Sequence, residues 1–409
     1  MGEMFFFANV FFCKTNWCDC MAIRLRFLAI LFFFAMVPLL SHNISIIGTG
    51  RLGLTYALCL ENAGHNILAV DVSPNLIDML NQKSFKTGEP GINEMLVRSQ
   101  HFHATTSLKE ALDFSHIILI VVSTTNGTEG YNFHALTDLL KEINAQKVEN
   151  KHLVIHSTVS PGYIQNTARL LLRDCKNVTI SYNPPFIAQG EIVKGLVTPD
   201  MVLIGQATKE VGDLLESLHR SIVTNDPPFA RVSVESAEIA KLALNCFLTS
   251  KIAFANLVGD IADETPGADK YEILKAIGCD SRVGSKYMIP GYGFGGPCFI
   301  RDNHALAEYA NLVGIDPVIF KATDSANDQH AIYMAEKWIE QDLDEYFFED
   351  VSFKPNCPVK IIYASQKLAV ARLIAEQGKH VTIVDTQRVI DEVKALYGNL
   401  FNYVVSDSD

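Results

Sequence analysis

No basic stripe runs through this sequence. Its 34 Lys and Arg are outnumbered by 46 Asp and Glu, a formal charge of −12 over 409 residues. That balance excludes a nucleic-acid binder, which needs cations arrayed against phosphates. An anionic small molecule is still allowed where a few Lys and Arg converge. A disulfide framework is also missing. The nine cysteines, Cys13, Cys18, Cys20, Cys59, Cys175, Cys246, Cys279, Cys298 and Cys357, are odd in number and irregular in spacing. This fits a reducing, cytoplasmic setting better than a cross-linked scaffold. Nor is there a metal-ligand set: Cys18-Asp19-Cys20 is the one close pair, with no second pair or His partner, so no metal is expected. What the chain does have is 48% hydrophobic and 20% charged residues, the composition of a globular protein of about two to four domains.

The first 43 residues differ from the rest. Phe27–Leu40 reads FLAILFFFAMVPLL behind Arg24 and Arg26, the outline of a signal-peptide core. It falls short of the about 20 apolar residues of a membrane span. Leu39-Leu40-Ser41 makes a poor cleavage site, and a buried-strand pattern begins at once at Ile44. We therefore read residues 1–43 as an upstream start, with Met21 or Met36 opening the protein. The alternative is an N-terminal anchor, the one way this chain would meet a membrane.

Ile44-Ser45-Ile46-Ile47 reads as a strand buried on both faces. It runs into Gly48-Thr49-Gly50-Arg51-Leu52-Gly53, a helix ending near Gly64, and a second strand, Asn66–Val70, that stops at Asp71. Each piece has a physical task. Gly48 permits a tight turn, Gly50 lets backbone approach a pyrophosphate, and Gly53 lets the helix pack on the strand. The helix N-terminus offers free N–H groups to that phosphate. Asp71 accepts from ribose hydroxyls and repels a 2′-phosphate, which favours NAD over NADP. Arg51 and Leu52 of the turn, with Thr124 and Thr158 of later loops, complete the expected cofactor contacts. Further strands are expected at His116–Val122, Leu153–His156, Val178–Ser181 and Met201–Gly205. Strands separated by helical patterns predict a doubly wound, Rossmann-like parallel sheet, with ligands at the strands' carboxyl ends.

Ser236–Asp263 has the spacing of one long helix, on which Lys241 and Asn245 share a face. The loop Gly291-Tyr292-Gly293-Phe294-Gly295-Gly296-Pro297-Cys298 follows, then Arg301-Asp302. Its glycines let backbone curl closely around a ligand, and Pro297 suits a helix start. Cys298 at that start, near Lys241 or Arg301, is expected to have a lowered thiol pKa. A thiolate beside a nicotinamide is the pairing that oxidises an aldehyde through thiohemiacetal and thioester.

These stretches, with Glu89-Pro90-Gly91, Ser157-Thr158-Val159, Ala237–Asn245 and Asp280–Gly284, resemble the UDP-glucose/GDP-mannose dehydrogenase family over residues 44–390. The resemblance implies an α/β protein that oxidises the C6 alcohol of a nucleotide-activated hexose in two NAD-dependent steps. It implies Cys298 as nucleophile, Lys241 and Asn245 as oxyanion donors, Asp302 as orienter and Thr158 nearby. It implies substrate contacts from Phe186, Lys241, Asn245, Arg282, Lys286, Tyr292, Gly293 and Gly295, and a homodimer built on the long helix. The layout expected is a leader or mis-assigned start at 1–43, an NAD-binding Rossmann domain at 44–228, a central helical dimerisation region with the cysteine loop at 229–330, and a shortened second Rossmann-like domain that binds the nucleotide sugar at 331–409.

Several positions depart from the family pattern. Asn183-Pro184-Pro185-Phe186 has a proline where a catalytic glutamate is usual, and a second acid is replaced by Gln189. Pro297 and Ile300 replace the serine and proline that usually flank the nucleophile's motif. An arginine expected after Lys354-Pro355-Asn356 is missing from Cys357 to Gln366, and the chain stops at Asp409. A proline cannot move a proton. Two alternatives follow: a degenerate member that binds NAD or nucleotide sugar without turnover, or an enzyme that stalls at the aldehyde or thioester.

Overall fold

In a computed structural model, residues 41–125, 130–188, 190–354 and 359–406 are described. Most of residues 1–43 lie outside them, as do Gln189 and the stretch through Asn356 and Cys357. Eight strands form one sheet: β1 (Asn43–Ile47), β2 (Asn66–Val70), β3 (Phe102–Thr105), β4 (Ile117–Ile120), β5 (Glu149–Ile155), β6 (Lys176–Tyr182), β7 (Val202–Gly205) and β8 (Phe229–Val232). Their order is β3-β2-β1-β4-β5-β6-β7-β8, so the chain starts in the middle and winds outward both ways.

Alternation along the strands explains why both faces are covered. Ile44 and Ile46 point into one core with Leu54 and Leu58 of the first helix (Arg51–Asn62) and Leu215 and Leu218 of the helix Lys209–Ile222. Ile47, Ile118, Ile120 and Ile155 point into the opposite core with Leu136 and Leu140 of the helix His134–Ala145. Burying each such side chain is worth about 1.5–3 kcal/mol.

Two strands escape the periodicity analysis. β3 reads Phe-His-Ala-Thr with two non-apolar members, and β8 reads Phe-Ala-Arg-Val with all four half-buried. Both are sheet edges, where only one neighbour supplies burial. The sheet also departs from all-parallel pairing: β6 meets β7 antiparallel, at Tyr182 opposite Gly205. The antiparallel step keeps the whole connection after Tyr182 on the carboxyl side of the sheet.

The long helix spans Val234–Asp263, capped by the Ser233 hydroxyl, which accepts from the Ser236 N–H at 3.1 Å. Glu238, fully buried on it, accepts from the backbone N–H groups of Gly162 (2.7 Å) and Ile164 (2.9 Å). One side chain thereby ties the helix to the segment after β5. The helices Gly296–Leu312 and Val318–Ile339 pack against it. Among the described residues it is the one helix long and apolar enough to cross a membrane. Its buried Glu238, Lys241 and Asn256 instead face protein.

A second sheet has order β11-β10-β9, all parallel, from β9 (Tyr346–Glu349), β10 (Val381–Asp385) and β11 (Asn402–Val405). Its core joins Tyr346, Phe348 and Ile383 to the helices Gln366–Glu376 and Gln387–Tyr397 through Leu368, Ile374, Val389 and Val393.

Two buried histidines couple this fold to pH. Burial lowers His156 from 6.5 to about 3, with His219 adding to the effect, and burial lowers His219 to about 4. Between those values and 6.5 the unfolded chain holds the extra protons. Stability is therefore complete above pH 6.5 and is lost as pH falls towards 4. Thermal melts from pH 7.5 to 4.5 should show a Tm that is level down to about 6.5 and then drops by several degrees. His156→Gln should make that drop shallower; a Tm unchanged at pH 4.5 would contradict buried, neutral rings.

Candidate active site

The glycine turn after β1 has the form its sequence requires. Gly48 has φ +97°, and a Cβ there would lie 2.4 Å from the Val121 carbonyl oxygen. A Cβ on Gly53 would come within 1.9 Å of the Gly48 carbonyl oxygen, so the helix closes on the turn itself. Gly50, the residue preceding the first helix, is different: a Cβ there would meet no described atom within 4 Å. Open space above Gly50, at the N-terminus of the first helix, fits a dinucleotide pyrophosphate. Arg51 is exposed and Leu52 half-buried on the same turn. Asp71, at the end of β2, accepts through Oδ2 from the Thr49 N–H (2.9 Å) and hydroxyl (3.0 Å). Its Oδ1 accepts from the Ser73 N–H at 3.2 Å. These bonds hold the carboxylate at the turn, in the position that serves ribose hydroxyls.

The carboxyl ends of β4, β5 and β6 meet the helices there. The Thr124 hydroxyl donates to the Thr158 carbonyl at 2.7 Å, and Ser157 Oγ donates to the Val122 carbonyl at 2.6 Å. Tyr131, on the loop after β4, donates its phenol to Asp302 Oδ1 at 2.5 Å. Asn245 of the long helix donates Nδ2 to Asp302 Oδ2 at 2.6 Å. Asp302 is 2% exposed. Burial and the Asp302 charge raise the Tyr131 phenol far above its usual range, which keeps it a donor.

Lys241, one turn before Asn245, is 8% exposed. Its ammonium donates to the Pro185 carbonyl at 2.7 Å and lies 4.5 Å from the centre of the Phe186 ring. Burial lowers its pKa, while the charges of Asp302 and Cys298 oppose that fall. The residue that stands for a glutamate thus contributes its backbone oxygen. Glu191 does not take the vacant role: its carboxylate pairs with Lys194 (2.9 Å) and Lys354 (3.3 Å), contacts that lower its pKa.

Cys298 lies in the first turn of the helix Gly296–Leu312, behind Pro297; the residue as a whole is exposed, while its thiol is desolvated by the protein packed around it. The expectation of a lowered thiol pKa is corrected here. Desolvation raises it and Asp302 adds to the rise; Arg301 and Lys241 only partly offset them. The Arg301 guanidinium reaches no nearer than 4.0 Å to Sγ, since it stacks over the Tyr131 ring at 4.7 Å. Its Nε is buried with no hydrogen-bond partner among the described residues.

The glycine loop serves protein packing more than the open curl expected of it. Cβ atoms on Gly293 and Gly295 would come within 2.3 Å of Asn327 Oδ1 and 2.1 Å of the Ala364 carbonyl oxygen. Gly296, at φ +78°, leaves room for the Phe353 ring. Tyr292 is packed against the core of the second sheet, with Lys367 Nζ 5.8 Å from its ring centre. Arg282 and Lys286 stand apart: both are exposed, paired with Asp280 and Asp200, with no described bond to the cysteine cluster. Among the described residues no three His, Cys, Asp or Glu gather as a metal site. Tyr131 was not singled out in the sequence, because a lone Tyr beyond a loop carries no pattern.

Similarity to known proteins agrees with this geometry. Residues 42–223 match the NAD binding domain of the UDP-glucose/GDP-mannose dehydrogenase family, and residues 235–329 match its central domain. A GDP-mannose 6-dehydrogenase of Pseudomonas aeruginosa is 33% identical over 289 residues, covering 67% of this chain and 65% of that enzyme. A UDP-glucose 6-dehydrogenase of Haloferax volcanii is 30% identical over 299 residues, covering 70% and 69%. The structure of a UDP-glucose dehydrogenase from the archaeon Pyrobaculum islandicum superposes with a TM-score of 0.79 at 26% identity, covering 90% of this chain and 87% of that one. The chain therefore belongs to the UDP-glucose/GDP-mannose dehydrogenase family of NAD-dependent nucleotide-sugar oxidoreductases.

Proposed function

We propose that this protein oxidises the C6 alcohol of a UDP- or GDP-activated hexose to the uronate, with Cys298 as nucleophile. The observation that carries the reading is the convergence of Cys298, Lys241, Asn245 and Asp302 from two helices onto the carboxyl ends of β4 to β6. NAD, bound at the Gly48–Gly53 turn with Asp71, Thr124 and Thr158 around it, supplies the hydride acceptor for both oxidations. Lys241 and Asn245 present donors to the oxygen that gains charge when Sγ adds to the C6 aldehyde. Asp302 orients Asn245, and Arg301 helps hold charge near the sulfur. Water then hydrolyses the thioester. Phe186 lies beside Lys241 on the sugar side. Tyr292, Gly293 and Gly295 back the loop from the protein side, and Arg282 and Lys286 would have to leave Asp280 and Asp200 to offset diphosphate charge. We place the protein in the cytoplasm, where such substrates and reduced thiols coexist.

We further propose a homodimer through the long helix. Phe247, Phe254, Leu257 and Ile261 are each more than half exposed along it, a stripe at helical spacing. Light scattering should give twice the chain mass, and Phe254→Asp should shift the protein towards monomer.

The reaction is tested by counting NADH per sugar across UDP- and GDP-hexoses. Two NADH per sugar over repeated turnovers is expected. One equivalent per site followed by sugar left on Cys298 would show that hydrolysis fails without an acid at 185. Cys298→Ser should lower kcat by more than about 10³-fold with NAD binding retained. The raised thiol pKa predicts that iodoacetamide alkylation of Cys298 keeps accelerating beyond pH 9 in the free enzyme. Arg301→Ala should push that profile higher still; a plateau below pH 8 would contradict the burial argument.

A further inference from the structure

Asn183 opens the segment that carries Pro185, and it is held at three points. Its N–H donates to the Ile155 carbonyl at 2.9 Å, and its Nδ2 donates to the Leu203 carbonyl at 2.7 Å. Its Oδ1 lies 2.7 Å from His219 Nε2, which is also 3.0 Å from the Tyr56 hydroxyl. With Nδ2 committed to Leu203, Oδ1 is the acceptor, so His219 carries its proton on Nε2. Asn183, His219 and Tyr56 are all at least nine-tenths buried. A buried cluster in which the Asn183 and Tyr56 oxygens share the single His219 Nε2–H costs desolvation that an apolar filling would avoid. Packing alone does not call for it.

The chain leads towards the reacting groups. After Asn183 come two prolines, whose rings lock φ near about −65°. Each proline also holds the residue before it extended, so between Asn183 and the Pro185 carbonyl the main freedom left is ψ of Pro185, and that carbonyl receives the Lys241 ammonium at 2.7 Å. A carbonyl bonded to an ammonium favours the charged form, which burial opposes.

We propose that His219, backed by Tyr56, is a positioning residue for the reaction: it fixes Asn183 and, through Pro184 and Pro185, aims the Pro185 carbonyl at Lys241 so that a cation stays beside Cys298. In this chain the residue without a carboxylate still does chemical service, through its backbone. The inference rests on the proposed roles of Lys241 and Cys298. Burial keeps His219 neutral down to a pH of about 4, so the arrangement holds across the working range.

The test uses the full chain with His219→Leu, His219→Gln and Tyr56→Phe. The rate of Cys298 alkylation by iodoacetamide at pH 8 is read by mass spectrometry, alongside kcat and the KM for NAD. In His219→Leu, Lys241 loses its acceptor and its charge, the thiol pKa rises, and alkylation slows by about 3–10-fold. kcat per titratable Cys298 falls by at least as much, with the KM for NAD within about twofold. His219→Gln, which keeps a donor towards Asn183, restores most of both. Tyr56→Phe, which removes only a hydroxyl, gives a smaller slowing and carries the comparison if His219→Leu does not fold. A lower Tm with alkylation and kcat per site unchanged in these variants would overturn the proposal. Slowed alkylation in a protein that oxidises no nucleotide sugar would overturn the proposed reaction instead and leave the positioning role intact.

Discussion

A carboxylate removed from water must be given donors, and at Asp302 that requirement organises the centre of the molecule. Its two oxygens take a phenol from the loop after β4 and an amide from the long helix. Without them, a buried charge would cost several kcal/mol. Three stretches of chain far apart in sequence are thereby held to one geometry: the loop after β4, the long helix and the start of the cysteine helix. Glu238 does the same two turns before Asn245, binding the long helix to the segment after β5. Two buried acids thus join the helical region to the sheet.

The thiol sits where these pieces meet, and it is not ionised in advance. Burial outweighs the lowering effect of the two nearby cations, Lys241 and an Arg301 whose guanidinium stacks on Tyr131. In the reaction proposed above, a protonated resting thiol suits a nucleophile that is needed only after the first oxidation has made an aldehyde. Aggregation of charge at the site then depends on substrate as well as protein, which is consistent with transition-state stabilisation by donors already in place.

The glycine loop shows a different economy. Its small residues admit Asn327, Ala364 and Phe353 against the backbone that leads to Cys298. Phe294 exchanges two hydrogen bonds with Asn327, at 2.8 and 3.1 Å. Residues of the helix Val318–Ile339 and of the stretch after β9 therefore pack directly behind the loop that leads to Cys298.

The order of strand, glycines, helix, strand and acid was enough to locate the dinucleotide turn, because Gly48, Gly50 and Gly53 answer local steric demands that any copy of the turn must meet. The long helix was legible for the same reason: helical spacing is a local property of Ser236–Asp263. The pairing of Lys241 with Asn245 on one face followed from that period. Strands β3 and β8 were not legible, since edge strands need no apolar alternation. Tyr131 and His219 carried no sequence signal, and the motif Asn183–Phe186 gave no hint of the bonds its side chains and carbonyl make, because these arise from neighbours distant along the chain. The direction of the Cys298 pKa was misjudged on sequence for the same reason: a helix start and two cations are visible there, whereas burial is not. Sequence alone determined the fold's nucleotide turn and offered the candidate reactive side chains, which depend on local geometry and covalent chemistry. Only tertiary structure decided how those side chains are charged and aimed, because desolvation and hydrogen-bond geometry exist only once the chain has packed.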